Sequence, residues 1–101
     1  MRSSIALITL AAALAAPAAA PAATRSCPQS DPANGLRSLR ADGISCPKAF
    51  GVAKRTNSVK CFLNGNTCTH TYRGRSWRCT LRRSSRVTCM SGQRVVKYRL
   101  G

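Results

Sequence analysis

The sequence predicts a small α+β domain: one short helix packed on a small antiparallel sheet, with a C-terminal three-stranded meander, a disulfide-stapled hairpin and three disulfides. Three observations predict it. Six cysteines stand in a chain of 101 residues that opens on an apolar leader. A single segment carries helical periodicity. Two turn signals near the end imply strand registers that, counted independently, agree on which side chains share a face.

The leader comes first in the chain. Met1-Arg2 is followed by an apolar run from Ile5 to Ala16 and then by Ala and Pro up to Ala23. A positive start, an apolar stretch and small-residue cleavage options (Ala16-Pro17-Ala18, Ala20-Pro21-Ala22) describe a signal peptide, read over residues 1–22. The run is short of the roughly 20 residues a membrane span needs, so an extracellular, unanchored protein is expected, and a monomer. What remains is one domain by length. Residues 23–35, with Pro28, Pro32 and Asn34-Gly35, read as an irregular lead-in, and residues 36–101 as the domain proper.

Such a chain buries only about 60% of its unfolded surface and needs added constraint. Cys27, Cys46, Cys61, Cys68, Cys79 and Cys89 all lie beyond the leader, and an even count in a short exported domain implies disulfides. The gaps of 18, 14, 6, 10 and 9 residues between them contain no C-x-x-C pair. The lone His70 has no partner at zinc-ligand spacing, so no metal or other cofactor is expected.

Leu36 to Ala41 is a short strand candidate whose alternation is imperfect. Ser45 is placed to cap a helix and Pro47 sits in its first turn, where a missing N–H costs nothing. Cys46, Ala49, Phe50 and Ala53 then share one face at i, i+3, i+4 and i+7. Lys54 and Arg55 suit the C-terminal end of the dipole, Gly51 weakens the helix, and Asn57 is a plausible stop. Asn64-Gly65 is the strongest two-residue hairpin signal. Counted outward, it opposes Cys61 to Cys68 within disulfide reach.

Arg83-Ser84-Ser85 as a three-residue loop pairs Leu81 with Val87 and Cys79 with Cys89. Gly92-Gln93 as a two-residue loop pairs Cys89 with Val96 and Val87 with Tyr98. Both counts send Trp77, Cys79, Leu81, Val87, Cys89, Val96, Tyr98 and Leu100 to one face. The remaining cysteines admit three connectivities. Cys79 with Cys89 leaves Cys27 with Cys46, but Cys46–Cys89 with Cys27–Cys79 closes longer loops and stabilises more in the chain-entropy model. The second pattern is the expectation.

The opposite face of the meander receives Arg82, Arg86 and Arg99 in one row, Thr80, Thr88 and Lys97 in the next, and Arg78, Met90 and Val95 in a third. Beyond the leader only Asp31 and Asp42 offset 16 Lys and Arg, a net charge of about +14 with no glutamate. Like charges directly across strands cost stability, although salt screens them within about 10 Å and a solvated face tolerates them.

The segments Gly43-Ile44-Ser45-Cys46-Pro47-Lys48-Ala49, Trp77-Arg78-Cys79, Cys89 and Val95-Val96-Lys97-Tyr98, with Cys27 ahead of them, resemble a group of small exported cysteine-containing proteins of high-GC Gram-positive bacteria. The resemblance spans most of residues 27–100 and implies the same fold. In it Cys61 and Cys68 look like an addition. The group has no known activity, so no site residues follow from it.

An exported, strongly cationic binding module for anionic partners is the expected function. Arg78, Arg82, Arg86, Lys97 and Arg99 form its face, with Arg73 and Arg75 extending it. A cell-envelope polymer, an anionic surface or nucleic acid would be held mainly by charge. Trp77 and Tyr98 point inward, so stacking and sequence-specific reading of bases are not expected. The alternatives are a protein-binding or enzyme-inhibitor module that uses the 61–68 hairpin on an extracellular protein, and a cationic antimicrobial. No enzyme is expected. His70 lies between threonines without an adjacent acid and reads as an ordinary exposed histidine, and no second acid–base group accompanies it.

Overall fold

In the computed structural model, which describes residues 24–101, the C-terminal half forms strands β4 (Arg75–Arg82), β5 (Arg86–Ser91) and β6 (Arg94–Arg99). The signal-peptide expectation lies outside the described residues. The counted registers hold: Leu81 opposes Val87, Cys79 opposes Cys89, Cys89 opposes Val96 and Val87 opposes Tyr98. Gly92 takes a positive φ of 61° while Gln93 does not, the pattern of a II′ turn. The three-residue loop places Ser84 and Ser85 in the left-handed region, at φ 63° and 57°.

Three further strands complete an antiparallel sheet of six: β1 (Arg25–Ser26), β2 (Arg37–Asp42) and β3 (Thr67–Tyr72), in spatial order β1-β2-β6-β5-β4-β3. The lead-in is therefore less irregular than expected, since β1 pairs with β2 and a 3₁₀ turn occupies Pro32–Asn34. The imperfect alternation of β2 has a physical explanation. Leu36 and Leu39 stand three apart, which would send them to opposite faces of a regular strand. The pairing with β6 shifts register between Arg37 and Arg40, and Ser38 sits at φ 56°. This bulge absorbs the odd residue, so Leu36, Leu39 and Ala41 are all buried while Arg37 and Arg40 stay exposed.

Helix α1 covers Cys46–Ser58, begins after an extended Ser45 and carries Pro47 in its first turn. Its buried face is Ala49, Val52, Ala53 and Thr56, one turn further along than the expected face. Phe50 is only partly buried and lies under the Lys54 ammonium, 5.2 Å from its ring centroid. Two alanines on the inner face let α1 lie close over Trp77 and Tyr98, the two largest fully buried side chains. Gly51 has a packing reason: the Tyr72 ring occupies the space a Cβ would take.

The helix runs to Ser58, past the expected stop at Asn57, and is closed at Lys60. Lys60 adopts φ 53°, its N–H donates to the Asn57 carbonyl at 3.1 Å, and the Cys61 N–H reaches the Thr56 carbonyl at 3.4 Å. That pair of bonds is a Schellman motif. It corrects the expected hairpin at Asn64-Gly65. Cys61 belongs to the helix terminus, and residues 59–66 form turns with no strand before Thr67. The two-residue hairpin lies instead at Arg73-Gly74, both at positive φ (52° and 78°), and joins β3 to β4 through six consecutive pairs. The Cys61–Cys68 bridge nevertheless forms and ties the helix end to β3.

The other two bridges are Cys27–Cys46 and Cys79–Cys89, which corrects the expected Cys46–Cys89 and Cys27–Cys79 pairing. Cys79 and Cys89 are directly opposed on neighbouring strands with Cα atoms 4.0 Å apart, so each finds the other before anything on the helix. Cys46, at the first turn and away from the buried face of α1, meets Cys27, whose N–H is held by the Leu39 carbonyl at 2.8 Å. The bridge between helix and lead-in therefore lies at the rim of the core, and the bridge within the sheet lies inside it.

Candidate anion-binding face

The helix lies on one side of the sheet only, and the other side carries the basic residues. Cross-strand pairing extends each predicted row beyond the meander. Arg82 opposes Arg86, Arg86 opposes Arg99, and Arg99 opposes Arg37, four arginines on four adjacent strands. With strands about 4.8 Å apart, their Cα atoms span about 14 Å. The next row runs Thr67, Thr80, Thr88, Lys97, Arg40 and Ser26 across the whole sheet. The third runs Thr69, Arg78, Met90, Val95 and Asp42.

The structure brings Arg78, Arg82, Arg86, Lys97 and Arg99 onto this face, all exposed. Arg73 and Arg75 are also exposed, but Arg73 lies in the β3–β4 turn and Arg75 directly after it, at one corner. Arg37 and Arg40 were missed by sequence reasoning. Their strand is distant in sequence, and its place beside β6 is a matter of topology. The signal that could have found them is the Leu-Arg-Ser-Leu-Arg spacing, which only a bulge turns into two inward leucines and two outward arginines.

These cations are not equally available. Arg40 is tied to the first strand, its guanidinium donating to Thr24 Oγ1 (2.9 Å), the Thr24 carbonyl (2.8 Å) and Ser26 Oγ (3.1 Å). Neither acid neutralises the arginine row. Asp31 accepts from Asn34 Nδ2 at 2.9 Å, and Asp42 sits at the far end of the third row beside Val95. Three direct Arg–Arg oppositions thus stand across the strands with neither aspartate beside them, an arrangement that costs stability.

The buried side has its own polar cluster, and it corrects the reading of His70 as exposed. His70 is buried beneath α1, where its Nε2 lies 2.7 Å from Thr56 Oγ1. The Thr56 hydroxyl donates to the Val52 carbonyl at 2.8 Å, so His70 Nε2–H is the donor to Thr56. Burial holds the imidazole below its ordinary value, the nearby Arg55 charge acts in the same direction, and a contact with the Thr71 backbone opposes them. His70, Cys79 and Cys89 place potential ligand atoms within 4.8 Å of one another. The two sulfurs are bonded to each other, however, and a disulfide offers no thiolate to a metal.

Two shallow clefts are among the recesses of the described surface. One of about 330 Å³ is lined by Asp31, Asn34, Leu36, Lys54, Asn57 and Ser58. The other, of about 450 Å³, lies between Arg37 and Arg99 at the end of the arginine row. Among the described residues no helix is long and apolar enough to cross a membrane. No family model, curated protein or solved structure matches this chain, so its face is read from residues and geometry alone.

Proposed function

We propose that this protein is an exported, cationic, disulfide-stabilised module that binds anionic polymers or surfaces through the open face of its sheet, without reading sequence. The unbroken row Arg82–Arg86–Arg99–Arg37 is the observation that carries this reading. Guanidinium groups repeated at strand spacing suit a linear polyanion lying across the strands, and the threonine row beside them adds hydroxyl donors. A cell-envelope polymer, an anionic lipid surface and extracellular nucleic acid share the required chemistry. Membership in the exported Gram-positive group is part of the same proposal, and the three disulfides are compatible with an extracellular location. Binding rather than catalysis is favoured because His70, the one side chain of suitable ordinary pKa, is buried and engaged by Thr56.

The test is binding of the oxidised protein to inorganic polyphosphate over a salt series. Affinity should fall steeply from 50 mM to 0.5 M salt, and Arg86→Gln should lower the slope of log K against log salt by about one. Salt-insensitive binding, or none at 50 mM, overturns the reading.

A second reading, a protein-binding module, draws on one observation. Leu63 is 74% exposed in the turn closed by Cys61–Cys68. Leu63→Ala would abolish partner capture on that reading and leave polyphosphate binding unchanged on the first.

A further inference from the structure

The two edges of the sheet differ. β1, at one edge, is two residues long and carries Arg25. β3, at the other, runs six residues from Thr67 to Tyr72 and pairs with β4 without a bulge. Among the described strands it alone has no charged residue, while each of the other five carries at least one arginine. Proteins protect long edges with Lys, Pro, bulges or short length, and β3 has none of these within it. Both ends of the described chain leave the sheet elsewhere. β1 is five strand spacings from β3, about 24 Å, and β6 is three, about 14 Å.

In an antiparallel ladder a residue turns its N–H and C=O to the same side, alternately toward one neighbour and the other. The Leu81 N–H donates to the Asn66 carbonyl at 2.8 Å, so Asn66, Cys68, His70 and Tyr72 turn toward β4. Thr67, Thr69 and Thr71 turn their backbone groups outward, and all three residues are exposed. Such an edge takes an extended strand. Charge indicates which strand. Basic residues on the edge would recognise an acidic partner, and β3 has none; a neutral edge on a body of about +14 suits a partner as cationic as itself. We propose that β3 pairs antiparallel with β3 of a second copy, about a two-fold axis at Thr69, in a weak dimer in equilibrium with the monomer. This register opposes Thr69 to its own counterpart and Thr67 to Thr71, so all three outward residues bond and their side chains meet in cross-strand Thr–Thr pairs. Arg78 stands beside Thr69 on β4, three strand spacings from Arg78 of the copy. That is about 14 Å, beyond the screening length of about 8 Å in physiological salt. The pairing does not rest on the polyanion reading, although it extends the same open face over two copies.

The test is sedimentation velocity of the oxidised protein from about 10 μM to about 1 mM, the range in which a small interface assembles. A concentration-dependent dimer is expected. It should be more abundant at about 0.5 M salt than at about 0.15 M, because screening weakens repulsion between the copies, whereas polyphosphate binding weakens over the same interval. Amide exchange at Thr67, Thr69 and Thr71 should slow as concentration rises, while Cys68, His70 and Tyr72 are already protected in the monomer. Thr69→Pro removes an N–H that β4 does not use, which edge strands tolerate, and should weaken the dimer about tenfold or more. Thr69→Lys keeps the N–H, sets two like charges against each other at the axis and should weaken it about fivefold; it decides the matter if the proline disturbs the strand. A protein still monomeric at the highest concentration and salt overturns the pairing. So does a dimer that Thr69→Lys leaves unchanged, or one whose exchange protection falls outside β3.

Discussion

The two faces of the sheet are built from the same strands yet obey opposite rules. On the inner face Trp77, Cys79, Val87, Cys89, Val96 and Tyr98 are almost fully buried under α1, and the polar Thr56 Oγ1 meets His70 Nε2 at 2.7 Å, while the ring nitrogens His70 Nδ1 and Trp77 Nε1 are buried without a protein partner. On the outer face Arg82, Arg86, Arg99 and Arg37 oppose one another with no acid between them. Burial stabilises the domain and pays for the repulsion on the other side. Stability and the proposed binding are therefore held by residues that alternate along the same strands, and substitutions should separate them cleanly.

The largest effect is expected at the inner face. Trp77→Ala should cost about 3–5 kcal/mol by denaturant unfolding, with any residual fold retaining polyphosphate affinity. A loss of stability below about 1 kcal/mol would mean that Trp77 does not anchor the core. Next comes the Cys79→Ala/Cys89→Ala pair, which opens a bridge of sequence separation 10. A loop of that size is worth about 3 kcal/mol in the chain-entropy model, and thermal unfolding of the double variant measures it.

A third expectation is acid sensitivity of the inner face. The folded pKa of His70 is lowered below its ordinary 6.5, so the unfolded chain takes up the proton first. Stability should be flat above that value and fall as pH drops below it, until the folded imidazole also titrates. Denaturation between pH 7.5 and 5 should show this fall, and His70→Asn should remove it. If the variant keeps the full acid dependence, the burial of His70 is not its source.

The smallest stability effect, of opposite sign, belongs to the outer face. Arg86→Gln removes two like-charge oppositions and should stabilise by about 0.2–1 kcal/mol, while polyphosphate affinity at low salt falls. A variant that is less stable and still binds fully would abolish the distinction between the faces.

The meander was legible because its turns are short. A two- or three-residue loop leaves one sensible count, and two loops sharing β5 check each other. The segment before it was misread because competing local signals are settled by neighbours. Asn64-Gly65 has the stronger turn chemistry, yet the helix runs on to Ser58 and its terminal bonds capture Cys61, leaving no strand to pair. Arg73-Gly74 is the weaker signal, but six residues of β3 face β4 on its account. The cysteine pairing failed for a different reason. Loop-closure entropy ranks bridges by what they do to the unfolded chain, but proximity in the native fold selects them, and Cys79 faces Cys89 directly. His70 was misjudged because alternation within β3 can be read only once its register with β4 is known, opposite Trp77.

By itself the sequence determined the class of fold, the need for covalent staples, the inward face of the meander and the excess of positive charge, all of which follow from composition and from contacts a few residues apart. Only the tertiary structure decided that β2 lies beside β6, that a bulge at Ser38 keeps both leucines inside, and that Arg37 thereby completes the arginine row and lines its cleft. Those outcomes depend on pairing between segments some sixty residues apart, as Arg37 with Arg99, and the whole core selects such pairings together.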